Sequence, residues 1–197
     1  MASKAERTKQ FIIEKTAPIF NAKGYCGTSI NDLMVATGLT KGSIYGNFES
    51  KDDVALEAFD YNFQKVILYI KSQMDQRPAI VDKLLVYPET YRNYSQLSFL
   101  SLGCPITNTA TEADDTHPKL KTKANNAMLF WRNSLEKQLK IGIETGEIKP
   151  DVNVDEFIGV LIALIQGSLL QCKLTGKTNT LNTTMEYLER IILNLKK

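Results

Sequence analysis

Ser29 and Thr40, on either side of Gly38, constrain this chain more than any other residues. Both are strong helix N-caps, because a side-chain oxygen there accepts an otherwise unpaired N–H of the first helical turn. Asp32, three residues after Ser29, completes a carboxylate variant of the capping box, and Ile30, Leu33 and Met34 then share one helical face. Gly38 suits the positive φ of a helix end, and Leu39 plugs the corner. Thr40 opens a second short helix from Lys41 to about Asn47. In that helix Ile44 and Phe48, at i and i+4, face inward, while Lys41, Gly42, Ser43, Tyr45 and Asn47 are left outward. A lysine, hydroxyls, an amide and a glycine that admits close backbone approach suit the phosphates and base edges of a DNA groove.

Flanking residues extend the pattern. A first helix with Phe11 leads to Lys23, followed by Gly24, Tyr25, Thr28 and Ser29; the Gly38 turn, Lys41-Gly42-Ser43, Tyr45 and Phe48 come next, then Ser50-Lys51-Asp52. Over Arg7 to about Val54 this resembles the TetR family of bacterial one-component regulators. The resemblance implies that Tyr45 and Lys51 contact phosphates, that Thr28, Ser29, Lys41, Gly42 and Ser43 lie at the groove edge, and that Thr40 and Asn47 belong to the same surface. It also implies a double-stranded operator as partner. Gly46 and Asn47 stand where the family often has an aromatic and a His, and Met34 where a small Ala is common.

The formal net charge is only +2, so DNA affinity has to come from a local basic face. Residues 1–51 carry seven Lys or Arg against four Asp or Glu, an excess of +3. So weak an excess favours a homodimer, which doubles the phosphate contacts and matches a two-fold site. No apolar run of signal-peptide length opens the chain, and no uninterrupted apolar stretch approaches membrane-spanning length, so a cytoplasmic protein with no membrane partner is expected. Cys26, Cys104 and Cys172 lack CxxC spacing and His117 is the only histidine. Neither a disulfide framework nor a metal site is expected, and His117 reads as part of a solvated loop.

Helical punctuation is dense and β-type alternation scarce, so the spacing predicts an all-α fold of about nine helices. An N-terminal three-helix helix-turn-helix domain covers residues 1–50, and a C-terminal helical ligand-binding and dimerisation domain covers 51–197. The first helix runs from about Ser3 to Lys23, with Pro18 bending its last turn. The fourth starts at Ser50 and Lys51 and reaches about Arg77. A fifth covers Ile80 to Leu100, broken at Pro88, and a short sixth covers Pro105 to Ala113. A long seventh ends at Gly146, an eighth at Gly176, and the last covers Thr180 to Leu195.

The eighth helix is apolar over more than one face and the ninth carries a wide stripe. Ile158, Leu161, Ile162, Ile165 and Leu169, with Met185, Leu188, Ile192 and Leu195, are therefore expected to pair with a second copy as a four-helix interface. Aromatic residues concentrate between the fourth and eighth helices. Tyr87, Tyr91, Tyr94, Phe130 and Trp131, with Gln166 as a polar contact and Cys104 beside them, are the candidate lining for a small, largely apolar effector. Cys104, at a helix start where the dipole favours a thiolate, resembles with Lys173 the sensor thiol of electrophile-responsive subgroups.

The leading expectation is therefore a ligand-responsive DNA-binding transcriptional regulator, a repressor released by a small molecule or electrophile. One alternative is an effector-independent DNA-binding or adaptor module. Another is an enzyme using Cys104 and His117, for which no glycine-rich loop, carboxylate pair or cofactor signature is present, so no catalysis and no cofactor are expected.

Overall fold

The computed structural model describes residues 3–197 and holds nine α-helices among them. They are α1 (Lys4–Lys23), α2 (Ile30–Thr37), α3 (Lys41–Tyr45), α4 (Lys51–Met74), α5 (Ile80–Arg92), α6 (Pro105–Ala113), α7 (Pro118–Glu144), α8 (Val154–Thr175) and α9 (Asn179–Leu193). The expected all-α fold is present. Packing divides the chain into two compact units, one holding the residues up to Val66 together with Ser98–Ala127, the other Ile67–Leu97 with Met128–Lys197. Of the three boundaries one falls inside α4, one inside α7 and one between α5 and α6, and residues 51–66 and 98–127 pack with the N-terminal helices.

The first unit is built on the caps read from the sequence. Ser3 and Glu6 close a capping box on α1, and Ser29 and Asp32 close another on α2. Pro18 lies inside α1 without ending it. Gly38 ends α2 in the left-handed conformation at φ 69°, its N–H bonded 2.8 Å to the Met34 carbonyl, and Thr40 accepts the Ser43 N–H to start α3. Ile12, Ala17, Phe20, Leu33, Ile44, Phe48, Val54 and Ala58 form the core, with Ile30, Met34 and Leu39 packed against it. Burying such side chains is the main driving force for this small unit, at about 1.5–3 kcal/mol each for the large ones.

The second unit packs α9 against both α5 and α8. The stripe of α8 made of Ile158, Leu161, Ile162, Ile165 and Leu169 is buried here, as are Met185, Leu188, Ile192 and Leu195. This helix is long and apolar enough to cross a membrane, with mean hydropathy 1.7 over its best window. In the fold its apolar stripe covers a protein core. An all-round apolar helix has to be buried somewhere, and packing accounts for one of its faces.

Two elements depart from expectation. Helix α5 runs unbroken through Pro88, which is buried, and stops at Arg92 short of Leu100. Proline removes one N–H but tolerates a helix whose neighbours hold it, whereas Asn93 turns its amide back 2.9 Å onto the Glu89 carbonyl and caps the end. His117 is buried rather than solvated: its Nδ1 accepts the Leu120 N–H, so it caps the first turn of α7. At the start of α5, Ala79 offers no side-chain cap, and Glu147 supplies one from 67 residues away, accepting the N–H of Ile80 at 2.8 Å and of Val81 at 2.7 Å. Glu147→Ala is expected to lower unfolding stability by about 1–2 kcal/mol, the worth of a helix cap. A urea titration checks this, and an unchanged midpoint contradicts it.

Candidate nucleic-acid interface

The nine residues expected at the DNA surface separate into two groups. Ser29, Thr40, Lys41, Gly42 and Tyr45 are exposed and Ser43 is half-buried, all around the Gly38 turn and α3. Ile44, at 0% exposure, and Phe48 anchor the opposite side of α3 in the core. The Lys41 ammonium lies 5.9 Å from the Tyr45 ring centre, so a cation and an aromatic hydroxyl share one edge of the helix. The helix is five residues long, and Thr40 and Gly46 fix where it begins and ends.

The other three turn polar atoms inward. Thr28 is buried and its hydroxyl donates 2.6 Å to the Gly24 carbonyl. The Asn47 amide donates 2.9 Å to the Ser43 carbonyl, capping α3 at its C-terminal end. Lys51 donates from Nζ to the carbonyls of Tyr25, at 2.9 Å, and Thr28, at 3.0 Å, with its charge 4.0 Å above the Tyr25 ring. In each case the reason is a carbonyl left open by the backbone. A turn leaves carbonyls that no helical N–H reaches, and the nearest side-chain donor satisfies them.

Charge is also partly paired within the unit. Lys9 meets Glu57 at 3.0 Å, Lys23 meets Asp32 at 2.6 Å, and Lys123 meets Asp60. The Lys23 ammonium, followed by the bonds from Ser29, holds the Asp32 carboxyl well below the usual carboxylate range. The local basic excess read from the sequence is therefore concentrated in fewer cations, and Lys41 stands on the exposed face of α3.

Tyr25, which enters the sequence reading only as part of the family pattern, joins several elements of the unit. Its hydroxyl donates to Asp52, chiefly for which its pKa is pushed up to about 12, with burial and the Asp52 charge adding to the shift. The phenol is thus a hydrogen-bond donor throughout the neutral range. The His117 ring meets it edge-on at 4.5 Å, with Nε2 3.7 Å from the Asp52 carboxylate. Its N–H and that of Cys26 are held by Glu112 at 2.7 and 2.8 Å. Glu112 and His117 escaped sequence reasoning because 87 and 92 residues separate them from Tyr25, and no local pattern connects them.

The candidate effector residues fall as follows. Tyr87, Tyr91 and Trp131 are buried in the second unit, with Trp131 stacked 6.0 Å from Tyr87 and 5.8 Å from Tyr91. Burial pushes the Tyr87 phenol up to about 12. The Tyr94 hydroxyl lies 3.2 Å from Cys172 Sγ, Gln166 is half-buried, and Phe130 is half-exposed. Cys104 is buried in the first unit directly before Pro105 of α6, and Lys173 is exposed in the second.

A capped helix pair joined by a left-handed glycine, with a polar outer face and a buried inner one, defines a DNA-binding regulator of the helix-turn-helix class. The chain belongs to the TetR family. The family description for bacterial regulatory proteins of the tetR family matches residues 12–58, and that for a tetracyclin repressor-like C-terminal domain matches 81–188. A solved TetR-family regulator from Cytophaga hutchinsonii is 43% identical with a TM-score of 0.95, covering 100% of this chain and 98% of its own. Another from Chloroflexus aurantiacus is 34% identical with a TM-score of 0.92, covering 98% of each chain. Among curated relatives, the HTH-type transcriptional repressor DhaR of Mycobacterium sp. (strain GP1) is 27% identical over 169 residues, 84% of this chain and 82% of its own.

Removing the Lys51 ammonium takes a charged donor from two turn carbonyls, leaving that of Tyr25 with the long 3.4 Å bond from the Thr28 N–H. Lys51→Met is expected to cost about 1–3 kcal/mol of stability, the range for hydrogen bonds to a charged group, even in the absence of DNA. Chemical denaturation of the free protein checks it, and full retention of stability returns Lys51 to a purely DNA-facing role.

Proposed function

We propose that this regulator is a cytoplasmic homodimeric repressor that inserts α3 of each subunit into successive major grooves of a two-fold operator and leaves it on binding a small, largely apolar molecule. The observation that carries the DNA half is the exposed group Thr40, Lys41, Gly42 and Tyr45, with half-buried Ser43 among them, on a capped helix whose other side is fixed in the core. Lys41 and Tyr45 take phosphates, Ser29 and Thr40 lie at the groove edge, and Gly42 allows backbone approach. His117 Nδ1 accepts the Leu120 N–H as a helix cap, which disfavours the Cys104–His117 enzyme reading.

The dimer face we propose differs from the one expected from pattern alone. All nine residues first assigned to it are buried within a single chain. The opposite stripe of α8 is the one available to a second copy: Val160 is 42% exposed, Leu170 45% and Leu174 78%, with Leu164 half-buried between them. Tyr187 of α9, the helix packed against α8, is 46% exposed. An exposed apolar stripe of this kind marks an interaction site, and a two-fold contact between identical stripes is the simplest way to cover it.

The ligand half of the proposal rests on the Tyr87–Trp131–Tyr91 stack, an aromatic cluster in the same unit as the Tyr94–Cys172 contact. A ligand acts here only through a different affinity for the DNA-binding and DNA-releasing arrangements.

Three experiments follow. On a duplex enriched from a random pool, Lys41→Ala is expected to reduce the slope of log affinity against log salt by about 1, the signature of one lost phosphate contact; an unaltered slope excludes Lys41 from the backbone. The double substitution Val160→Glu with Leu170→Glu is expected to yield folded monomers in sedimentation and to abolish tight duplex retention, whereas a persistent dimer places the interface elsewhere. Trp131 is the only tryptophan, so its emission reports directly on the proposed ligand cluster. Any compound from a panel of small aromatic molecules that releases the duplex is expected to change that emission, and release with unchanged emission moves the ligand to another place.

A further inference from the structure

The short turn after α1 is gripped from two sides by opposite charges. Glu112, on α6, places one carboxylate oxygen 2.7 Å from the N–H of Tyr25 and the other 2.8 Å from the N–H of Cys26. Lys51, on α4, holds the Tyr25 and Thr28 carbonyls from its Nζ. The approach of Glu112 is so close that a Cβ on Gly24, which sits at φ 73°, would lie 2.2 Å from its Oε2. Only glycine fits both the backbone angle and the contact. Two further bonds tie the same helices together: the Asn108 amide donates 2.9 Å to the Asn21 carbonyl, and the Asn21 amide donates 3.0 Å to the Gly103 carbonyl.

The charge of Glu112 is the disfavoured sign at the C-terminal end of a helix, where the macrodipole is negative. Its paired bonds to N–H groups that no helix satisfies are what hold it there, and charge-assisted bonds of this kind are the stronger class. The turn it holds leads directly into Ser29, the cap of α2, so the orientation of α2 and α3 is fixed where Glu112 fixes Tyr25 and Cys26.

We propose that Glu112 is a positioning residue for DNA recognition: by clamping the Tyr25 and Cys26 N–H groups to α6, it makes the helix-turn-helix and α6 one body, so that α3 is presented in the orientation α6 dictates. It touches no DNA. Its removal leaves two unpaired amides and a loosened turn that has to be ordered again on each binding event, which weakens binding without removing a phosphate contact.

The inference rests on duplex binding by the intact protein, and the test separates the two. Affinity is measured by fluorescence anisotropy on a duplex enriched from a random pool, over a range of salt concentrations, for the wild type, Glu112→Ala and Glu112→Gln. Glu112→Ala is expected to weaken binding roughly tenfold, the order associated with losing a charge-assisted hydrogen bond. Glu112→Gln, which keeps one acceptor oxygen, is expected to lose about threefold on the same scale. The salt slope stays at the wild-type value. Amide hydrogen exchange of the free protein quickens at Tyr25, Cys26 and the first turn of α2, while the protection of the α8 and α9 core is unchanged. Affinity within twofold of wild type for both variants overturns the proposal. So does a loss accompanied by a general fall in protection that reaches the α8 and α9 core, which reports damage to the fold, or by a reduced salt slope, which reports a direct phosphate contact. If the wild type itself retains no duplex, the DNA-binding reading fails and not merely the role of Glu112.

Discussion

The burial of Ile44 and Phe48 is the interaction on which the reading surface depends. A helix of five residues has no stability of its own, since forming its first turn fixes several dihedral angles for a single hydrogen bond. It persists because Thr40 caps one end, Asn47 caps the other, and Ile44 is fully enclosed beneath it. Once that side is fixed, the remaining positions of α3 have to face away from the core. Their chemistry, a lysine, a glycine and hydroxyl groups, then becomes a surface property rather than an accident of composition.

Around that helix the first unit is held by polar contacts at long sequence separation. Tyr25 is the node: its backbone is gripped from α6 and α4, its hydroxyl by Asp52, and its ring by His117 and the Lys51 charge. Packing of this kind explains why residues 98–127 belong to the same compact unit as the N-terminal helices. Two apolar surfaces in contact can slide, whereas a carboxylate on two amides and an ammonium on two carbonyls fix a register.

Most of the fold was legible because it is written locally. Ser3, Ser29, Thr40, Gly38 and Gly176 announce helix ends through the bonds their own side chains or backbones make, and the structure places those ends within a residue or two. What escaped was non-local. Glu147 caps α5 from a distant loop, Glu112 reaches Tyr25 across 87 residues, and His117 caps a helix it precedes while its ring is covered by a residue far upstream. The DNA-facing set was half legible for the same reason. Lys41 and Tyr45 follow from helical period alone, but nothing near Lys51 in sequence reveals that the Tyr25 and Thr28 carbonyls compete for its ammonium. On α8 the period gives two apolar stripes and no means of telling which one meets α9.

Chemical footprinting on a duplex enriched by the protein itself tests the account most directly, by guanine methylation in the major groove and adenine methylation in the minor groove. The account predicts two patches of major-groove protection related by two-fold symmetry, with centres about one helical turn, or 34–36 Å, apart. Each patch shrinks on Lys41→Ala. Protection confined to the minor groove, or a single patch indifferent to that substitution, contradicts it.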